Sequence, residues 1–202
     1  TQALHIPDTQ SERDERHLAI QRVGVKDVRY PLRLRVAGAE QQTAALWSLD
    51  VALPAEKKGT HMSRFVAWLD GLDAPLDATL LRDKLGAMLT LLGASDGRIE
   101  SRFSFFLRKR APVSGVSSLM DYQGRWIAEA RVGKTTVWTE VAVPVKSLCP
   151  CSKEISDYGA HNQRSTVTIR VETHAPVAWE ELVRFAEVNA SSEIWALLKR
   201  SD

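Results

Sequence analysis

Residues 77–93 constrain the fold of this chain more than any other stretch. Asp77 is a residue type that accepts hydrogen bonds from the first turn of a helix, and Gly93 is the type that most often ends one. Between them, apolar residues recur three or four positions apart, which is helical spacing. These residues are Leu81, Leu85, Met88, Leu89 and Leu92. A helix with one apolar face must bury that face against another element.

The sequence on either side of this helix predicts strands. Residues 18–36 and 43–53 flank the polar link "AGAEQQ", which indicates a hairpin. A shorter helix follows with Thr60 as its N-cap. Its apolar positions are Met62, Phe65, Val66, Leu69 and Leu72. Beyond residue 93, three more segments alternate as strands, and the last two are joined across Gly133-Lys134. The order β-β-α-α-β-β, with an extra strand, predicts an α+β fold in which the helices cover one face of an antiparallel sheet.

The C-terminal part of the sequence begins a second pattern of strand and helix. Residues 165–172 alternate as a strand, and a helical pattern follows. The apolar face of that helix consists of Trp179, Leu182, Val183 and Ala186. No closing strands follow before Asp202, so we expect the start of a second module.

Composition and charge argue against several classes of protein. The 202 residues carry a net charge of +2, and 44% of them are hydrophobic, which is typical of a globular domain. A nucleic-acid-binding protein usually has a larger and more clustered positive charge, so we expect no nucleic-acid partner. No run approaches the ~18 apolar residues of a membrane span, and the polar arm of residues 1–16 lacks the apolar region of a signal peptide. We therefore expect a cytoplasmic protein with no membrane partner.

Residues 148–165 read "LCPCSKEISDYGAHNQRS" and contain both cysteines. Cys149 and Cys151 are too close in sequence for an unstrained disulfide, so we expect two thiols or a metal-bound thiolate. With His161, the stretch offers a thiolate and an imidazole, which are standard zinc ligands. Pro150 hinders both thiols from turning onto one ion, which favours a single thiolate ligand. The spacing alone leaves open a metal site with a free position and a buried thiol beside a capping loop.

Other candidate residues are ambiguous when read one at a time. His61 lies at a predicted helix start, where a histidine is usually a solvated residue of the first turn. Lys57, Lys58 and Arg64 make its surroundings basic, which suits a polyphosphate as well as water. No Walker-type loop or dinucleotide fingerprint is present. Glu193, among small residues before an apolar turn, reads on its own as a surface glutamate.

Five stretches of the chain, taken together, carry a family resemblance. They are "IPDTQSERDERHLAIQRVGV", "PAEKKGTHMSRFV", "APVSGVSSLMDYQ", "KSLCPCSKEISDYGAHNQRS" and "ASSEIWALLKR". The set resembles the type IB GTP cyclohydrolases, the bacterial and archaeal alternative to the common folate-pathway enzyme. The stretches occur in family order over residues 6–202, so the resemblance covers nearly the whole chain. The cysteine–histidine block is the longest and most specific of them.

The resemblance implies a fold, an assembly and a division of the chain. The fold is the tunnelling fold, in which antiparallel sheets carry paired helices on one face, with two tandem modules per chain and four chains in a homotetramer. On this basis residues 1–16 are an N-terminal arm and 17–147 the first module. Residues 148–165 are then the metal-site loop, and 166–202 begin a second module that we expect to be incomplete in this sequence.

The resemblance also implies a reaction. A hydrolase of this family opens GTP at C8 of its guanine and releases formate, which leaves 7,8-dihydroneopterin triphosphate. This step is the entry to tetrahydrofolate and, in many bacteria, to 7-deazaguanine nucleosides such as queuosine. The cofactor implied is one divalent metal ion per site, which is zinc, manganese or iron.

Roles for individual residues follow from the same resemblance. The metal ligands would be Cys149, His161 and Glu193, with water completing the shell. Cys151 would lie beside the ligands and tune the thiolate. Together with Cys149, His61 is the candidate catalytic residue, as general acid. The candidates for contact with the triphosphate are Lys57, Lys58, Arg64 and Arg164.

The sequence departs from the family in two respects. Family members normally continue beyond the position of Asp202, with a glutamate that reads the guanine edge and a histidine-bearing element, and neither is in this sequence. Ser192 also stands where a cysteine is common. Two alternatives stay open: an NADPH-dependent nitrile reductase of the same superfamily, which uses a cysteine nucleophile, and a non-catalytic metal-binding protein.

Overall fold

The computed structural model describes residues 15, 18–157 and 161–202. Its centre is one antiparallel sheet of six strands that follow each other in chain order. The predicted α+β fold is confirmed. The strands are β1 (Ile20–Val36), β2 (Ala39–Leu53), β3 (Gly97–Arg110), β4 (Ser117–Arg131), β5 (Lys134–Leu148) and β6 (Asn162–Glu172).

Tight turns of two residues join β1 to β2 and β4 to β5. Ala37 and Gly38 have φ of 48° and 77°, and Val132 and Gly133 have φ of 49° and 74°. Two successive positive φ angles are typical of the type I′ turn, whose twist matches that of the flanking strands. The predicted link at Gly133-Lys134 is therefore wrong by one residue, because Lys134 already belongs to β5.

The helices are α1 (Met62–Asp70), α2 (Ala78–Leu92), α3 (Pro150–Ile155) and α4 (Trp179–Val188). The ends predicted for α2 are confirmed: the Asp77 carboxylate accepts from Leu80 N–H at 2.8 Å, and Gly93 ends the helix with a φ of 59°. The predicted N-cap of α1 is wrong, because His61 occupies that position and Thr60 is buried before it.

One face of the sheet is apolar and covered by α1, α2 and α4. Phe103, Trp126 and Trp179 meet there, with ring centroids 4.9 to 5.5 Å apart. The opposite face is charged: a row of ion pairs runs from Glu100 on β3 through Arg125 and Glu140 to Arg170 on β6. The apolar and the charged side chains lie on different faces because neighbouring residues of a strand point to opposite faces of the sheet.

The division into domains stays a prediction. The predicted loop 148–165 contains regular secondary structure at both of its ends. β6 begins at Asn162, inside the predicted loop 148–165, and pairs with β5 in the same sheet as β1–β4. The short helix α3, which the sequence did not predict, also lies in that loop. The predicted arm of residues 1–16 lies outside the described residues except for Glu15. No helix in the described ranges is long and apolar enough to cross a membrane.

Gly124 of β4 lies against the ring of Phe103, and we expect Gly124→Ala to destabilise the fold. A Cβ at this position would come within 2.6 Å of the ring carbon Cε2 of Phe103. The ring cannot move away easily because Trp126 and Trp179 pack against it. We expect a loss of roughly 1–3 kcal/mol in the free energy of unfolding, measured by urea denaturation.

The matched control is Gly86→Ala on the exposed side of α2, where an added Cβ meets no atom within 4 Å. This substitution should raise the free energy of unfolding by about 0.4–1 kcal/mol, because alanine restricts the unfolded chain and favours the helix. Equal effects of the two substitutions would contradict the packing described for Gly124.

Candidate metal centre

The candidate site lies where β5 ends and β6 begins. Leu148 and Asn162 form the last pair of the β5–β6 ladder, and the backbone N–H of Cys149 donates to the carbonyl of His161 at 3.4 Å. The chain between the two strands contains α3, so the ladder closes a loop with Cys149 at its start and His161 at its end. Two of the three predicted metal ligands therefore lie directly beyond the facing ends of neighbouring strands.

Cys149 is also the N-cap of α3, and Pro150 occupies the first position of that helix. Proline is favoured there because the first helical N–H needs no partner within the helix. The hydroxyl and the backbone N–H of Ser152, followed by groups of Cys151, lower the pKa of the Cys149 thiol. These hydrogen bonds favour the thiolate, which is the form that binds a metal. The role predicted for Cys151 beside the ligand stays a prediction.

Glu193 follows a segment that lies along the other edge of β5. β4 pairs with β5 only as far as Ala142. Beyond that point Ser192 takes the place of β4: Lys146 N–H donates to the Ser192 carbonyl at 2.8 Å, and Ser192 N–H donates to the Lys146 carbonyl at 3.3 Å. Leu148 N–H donates to the hydroxyl of Ser191 at 3.1 Å. The backbone before Glu193 is thus fixed to the same strand end as Cys149.

The side chain of Glu193 binds a lysine that the sequence analysis missed. Lys109 Nζ lies 2.6 Å from Glu193 Oε2 and 2.7 Å from Glu187 Oε1. Tyr122 donates its hydroxyl hydrogen to Glu187 at 3.0 Å, and burial together with the Glu187 carboxylate raises the pKa of Tyr122. We call Lys109, Tyr122, Glu187, Glu193 and Trp195 the Lys109 cluster. Within the described ranges, no three Cys, His, Asp or Glu residues are grouped closely enough to hold a metal ion, so the ligand set stays a prediction.

The alternation of residues along β3 indicates that the side chain of Lys109 points to the covered face of the sheet. Phe103 and Phe105 are buried, and Leu107 is partly buried on the same face of the strand. Lys109 continues this phase, so its side chain enters the covered face, where a cation needs an anionic partner. A lysine at an inward position of an apolar strand is therefore a pointer to a buried ion pair.

The predicted general acid and three predicted phosphate contacts lie at the other end of the sheet. Lys57 Nζ donates to the Gly93 carbonyl at 2.5 Å, and Arg64 donates to the Leu91 carbonyl at 3.0 Å. These carbonyls belong to the C-terminal end of α2, which cations stabilise. His61 lies in the same region, as the N-cap of α1. Lys58 is exposed in the segment between β2 and α1.

The distance between these residues and Cys149 follows from the strand register. Gly97, shortly after Gly93, is level with Thr135 of β5 through Ala130 of β4. From Thr135 to Leu148 the strand extends by roughly 40 Å at its usual rise per residue. One chain thus does not bring His61, Lys57, Lys58 and Arg64 to Cys149. Arg164 of β6 does lie at the site end, because it pairs with Lys146 of β5, and its side chain is exposed.

Comparison with known proteins matches this chain to one family. The family model described as "Type I GTP cyclohydrolase folE2" matches residues 6–202. A GTP cyclohydrolase FolE2 of Methylibium petroleiphilum is 66% identical over 98% of this chain and 77% of its own length. Those of Paraburkholderia xenovorans and Paraburkholderia phymatum are 57% and 55% identical over 99% of this chain and 75% of their own length.

The chain is thus related over nearly its whole length to type I GTP cyclohydrolases. The chain belongs to the GTP cyclohydrolase FolE2 family. The family and the class of enzyme predicted from the five stretches are confirmed.

Proposed function

We propose that this chain is a metal-dependent GTP cyclohydrolase I, which converts GTP and water to 7,8-dihydroneopterin triphosphate and formate. The observation that carries the proposal is the backbone hydrogen bond between Cys149 and His161, because it brings together two proposed ligands from the most specific family block. The names of the relatives, which are GTP cyclohydrolases, support it. The product would enter tetrahydrofolate biosynthesis and the synthesis of 7-deazaguanine nucleosides.

The three proposed ligands are residue types that suit a divalent metal ion. Cys149 supplies a thiol whose pKa is lowered, His161 an imidazole and Glu193 a carboxylate oxygen. Three protein ligands of these types are usual in catalytic sites that keep one position open, and zinc, manganese or iron can be held by them. When bound, the metal supplies a Lewis acid and lowers the pKa of water toward ~7.

Other residues of the chain would bind the substrate and move protons. Arg164, exposed and three residues beyond His161, is the phosphate candidate that lies at this end of the sheet. His61 is proposed to protonate a nitrogen of the guanine ring as the bond at C8 opens. The triphosphate would be bound by three basic residues near His61, which are Lys57, Lys58 and Arg64.

These two groups of residues can meet only across two copies of the chain. They lie roughly 40 Å apart along β5 of one copy, which is farther than one extended GTP molecule can reach. For His61 to reach a GTP held beside Cys149, it must come from a neighbouring chain. The proposed homotetramer supplies such neighbours. The cytoplasmic location and the lack of a nucleic-acid partner stay predictions.

The full chain, loaded with zinc, manganese or iron, should convert GTP to a product that becomes a fluorescent pterin after oxidation. Cys149→Ala should lose at least ~100-fold in kcat, because it removes the only thiolate ligand of the proposed metal. Cys151→Ala is the matched control, and it should retain measurable turnover because Cys151 is proposed to act through Cys149.

Each failure in this assay has a distinct meaning. No pterin with any of the three metals contradicts the cyclohydrolase proposal, and full activity of Cys149→Ala contradicts the ligand assignment. Consumption of NADPH with a deazaguanine nitrile would identify the nitrile reductase instead. Metal binding without turnover of either substrate would identify a non-catalytic binding protein.

Mixing two inactive variants tests whether the site needs two chains. His61→Ala should lose about 10²-fold or more in kcat as the general acid is removed. Unfolding and refolding Cys149→Ala together with His61→Ala should restore about a quarter of the wild-type activity, since random assortment gives one site in four both intact residues. Activity no higher than that of the separate variants would place both residues in one chain's own site and contradict the arrangement across copies.

A further inference from the structure

The ammonium group of Lys109 contacts three acceptors. Its Nζ donates to Glu187 Oε1 at 2.7 Å and to the carbonyl of Ile194 at 2.8 Å. It also forms an ion pair with Glu193 Oε2 at 2.6 Å. The side chain is 10% exposed, and the ring of Trp195 lies 5.1 Å from Nζ. Lys109 is therefore held in one place.

The charges around Lys109 do not balance. One ammonium faces two carboxylates, and they differ in environment: the side chain of Glu187 is 11% exposed, and that of Glu193 is 39% exposed. Glu187 is the buried counter-ion, since it also accepts from Tyr122. The negative charge in excess is that of Glu193, on the more exposed side, where it favours a further cation.

Glu193 is fixed from two directions. Its backbone is fixed through Ser191 and Ser192, which bond to the end of β5. Its side chain is fixed by Lys109, which belongs to β3. Lys109 contacts Oε2 of Glu193, and a carboxylate has a second oxygen that can bind another cation.

We infer that Lys109 is a positioning residue, which orders the Glu193 carboxylate for the metal ion proposed above. The inference rests on the proposed function. A glutamate side chain loses rotational freedom when it binds a metal, and prior ordering by Lys109 removes that cost from the binding step. The positive charge of Lys109 opposes a dication, but Glu187 beside it cancels that charge, so the ordering effect dominates.

The test is the zinc affinity of the full chain, measured by competition with a chromogenic chelator in the absence of GTP. Lys109→Met should weaken zinc binding by about 10-fold, which is the usual size of an effect on a residue that orients a ligand. In a Glu193→Gln background the same change should have no further effect, because the group that Lys109 orders is already lost. Lys109→Arg should retain most of the affinity, since it keeps the donor and the charge.

Two variants control for stability. Lys109→Met leaves Glu187 buried without its counter-ion, so the double variant Lys109→Met/Glu187→Gln removes that charge as well and should bind zinc as weakly as Lys109→Met. Lys134→Met makes the same chemical change at the exposed first residue of β5 and should bind zinc as the wild type does.

The outcomes separate this inference from the proposed function. Zinc binding by the wild type, its loss in Cys149→Ala and wild-type affinity in both Lys109 variants would overturn the role of Lys109 and leave the metal centre standing. An equal effect of Lys109→Met with and without Glu193→Gln would also overturn it, because the effect would then be structural. No zinc binding by the wild type would overturn the role of Lys109 in zinc binding, while the pterin assay with manganese and iron would still decide the proposed function. Equal zinc binding by Cys149→Ala would overturn the ligand assignment on which both proposals rest.

Discussion

The ladder between β5 and β6 is the constraint on which the candidate site depends. It pairs Trp138 with Glu172 at one end and Leu148 with Asn162 at the other, so its register alone decides that Cys149 faces His161. A slip by one residue would turn every side chain of β6 to the other face and separate the two. The register is stabilised by alternation, since Val141, Val143 and Val145 are buried and the residues between them are not.

The free edge of β5 connects this ladder to the rest of the site. Where the pairing of β5 with β4 stops, the backbone of Ser192 continues it, and the next residue, Glu193, contacts Lys109 of β3. Three strands and the segment after α4 thus contribute to one corner of the sheet. Folding fixes each contribution through the buried face of the sheet, so the chemistry of the corner depends on packing that lies outside it.

Much of the fold follows from local patterns, and the rest depends on long-range contacts. Asp77 and Gly93 mark the ends of α2 because capping is a property of single residues, and the hairpins follow from alternation with turn residues. The N-cap of α1 differs from the prediction by one residue: it is His61, and Thr60 before it is buried. The helix α3 was missed because six residues, Pro150–Ile155, are too few to show a helical period.

Part of the candidate site also follows from local sequence patterns, and part does not. The sequence predicts that Cys149 and His161 act together, and the ends of their strands do meet. The alternation of β3 indicates that the side chain of Lys109 points to the covered face of the sheet. The separation of His61 from Cys149 has no sequence signal, because it depends on which end of the sheet each residue reaches.

The proposed metal centre is tested most directly by zinc K-edge X-ray absorption of the zinc-loaded full chain. We predict one sulfur neighbour at about 2.3 Å, with the other neighbours nitrogen or oxygen at about 2.0–2.1 Å. Two sulfur neighbours would bring Cys151 into the shell, and none would remove Cys149 from it; either result would contradict the account.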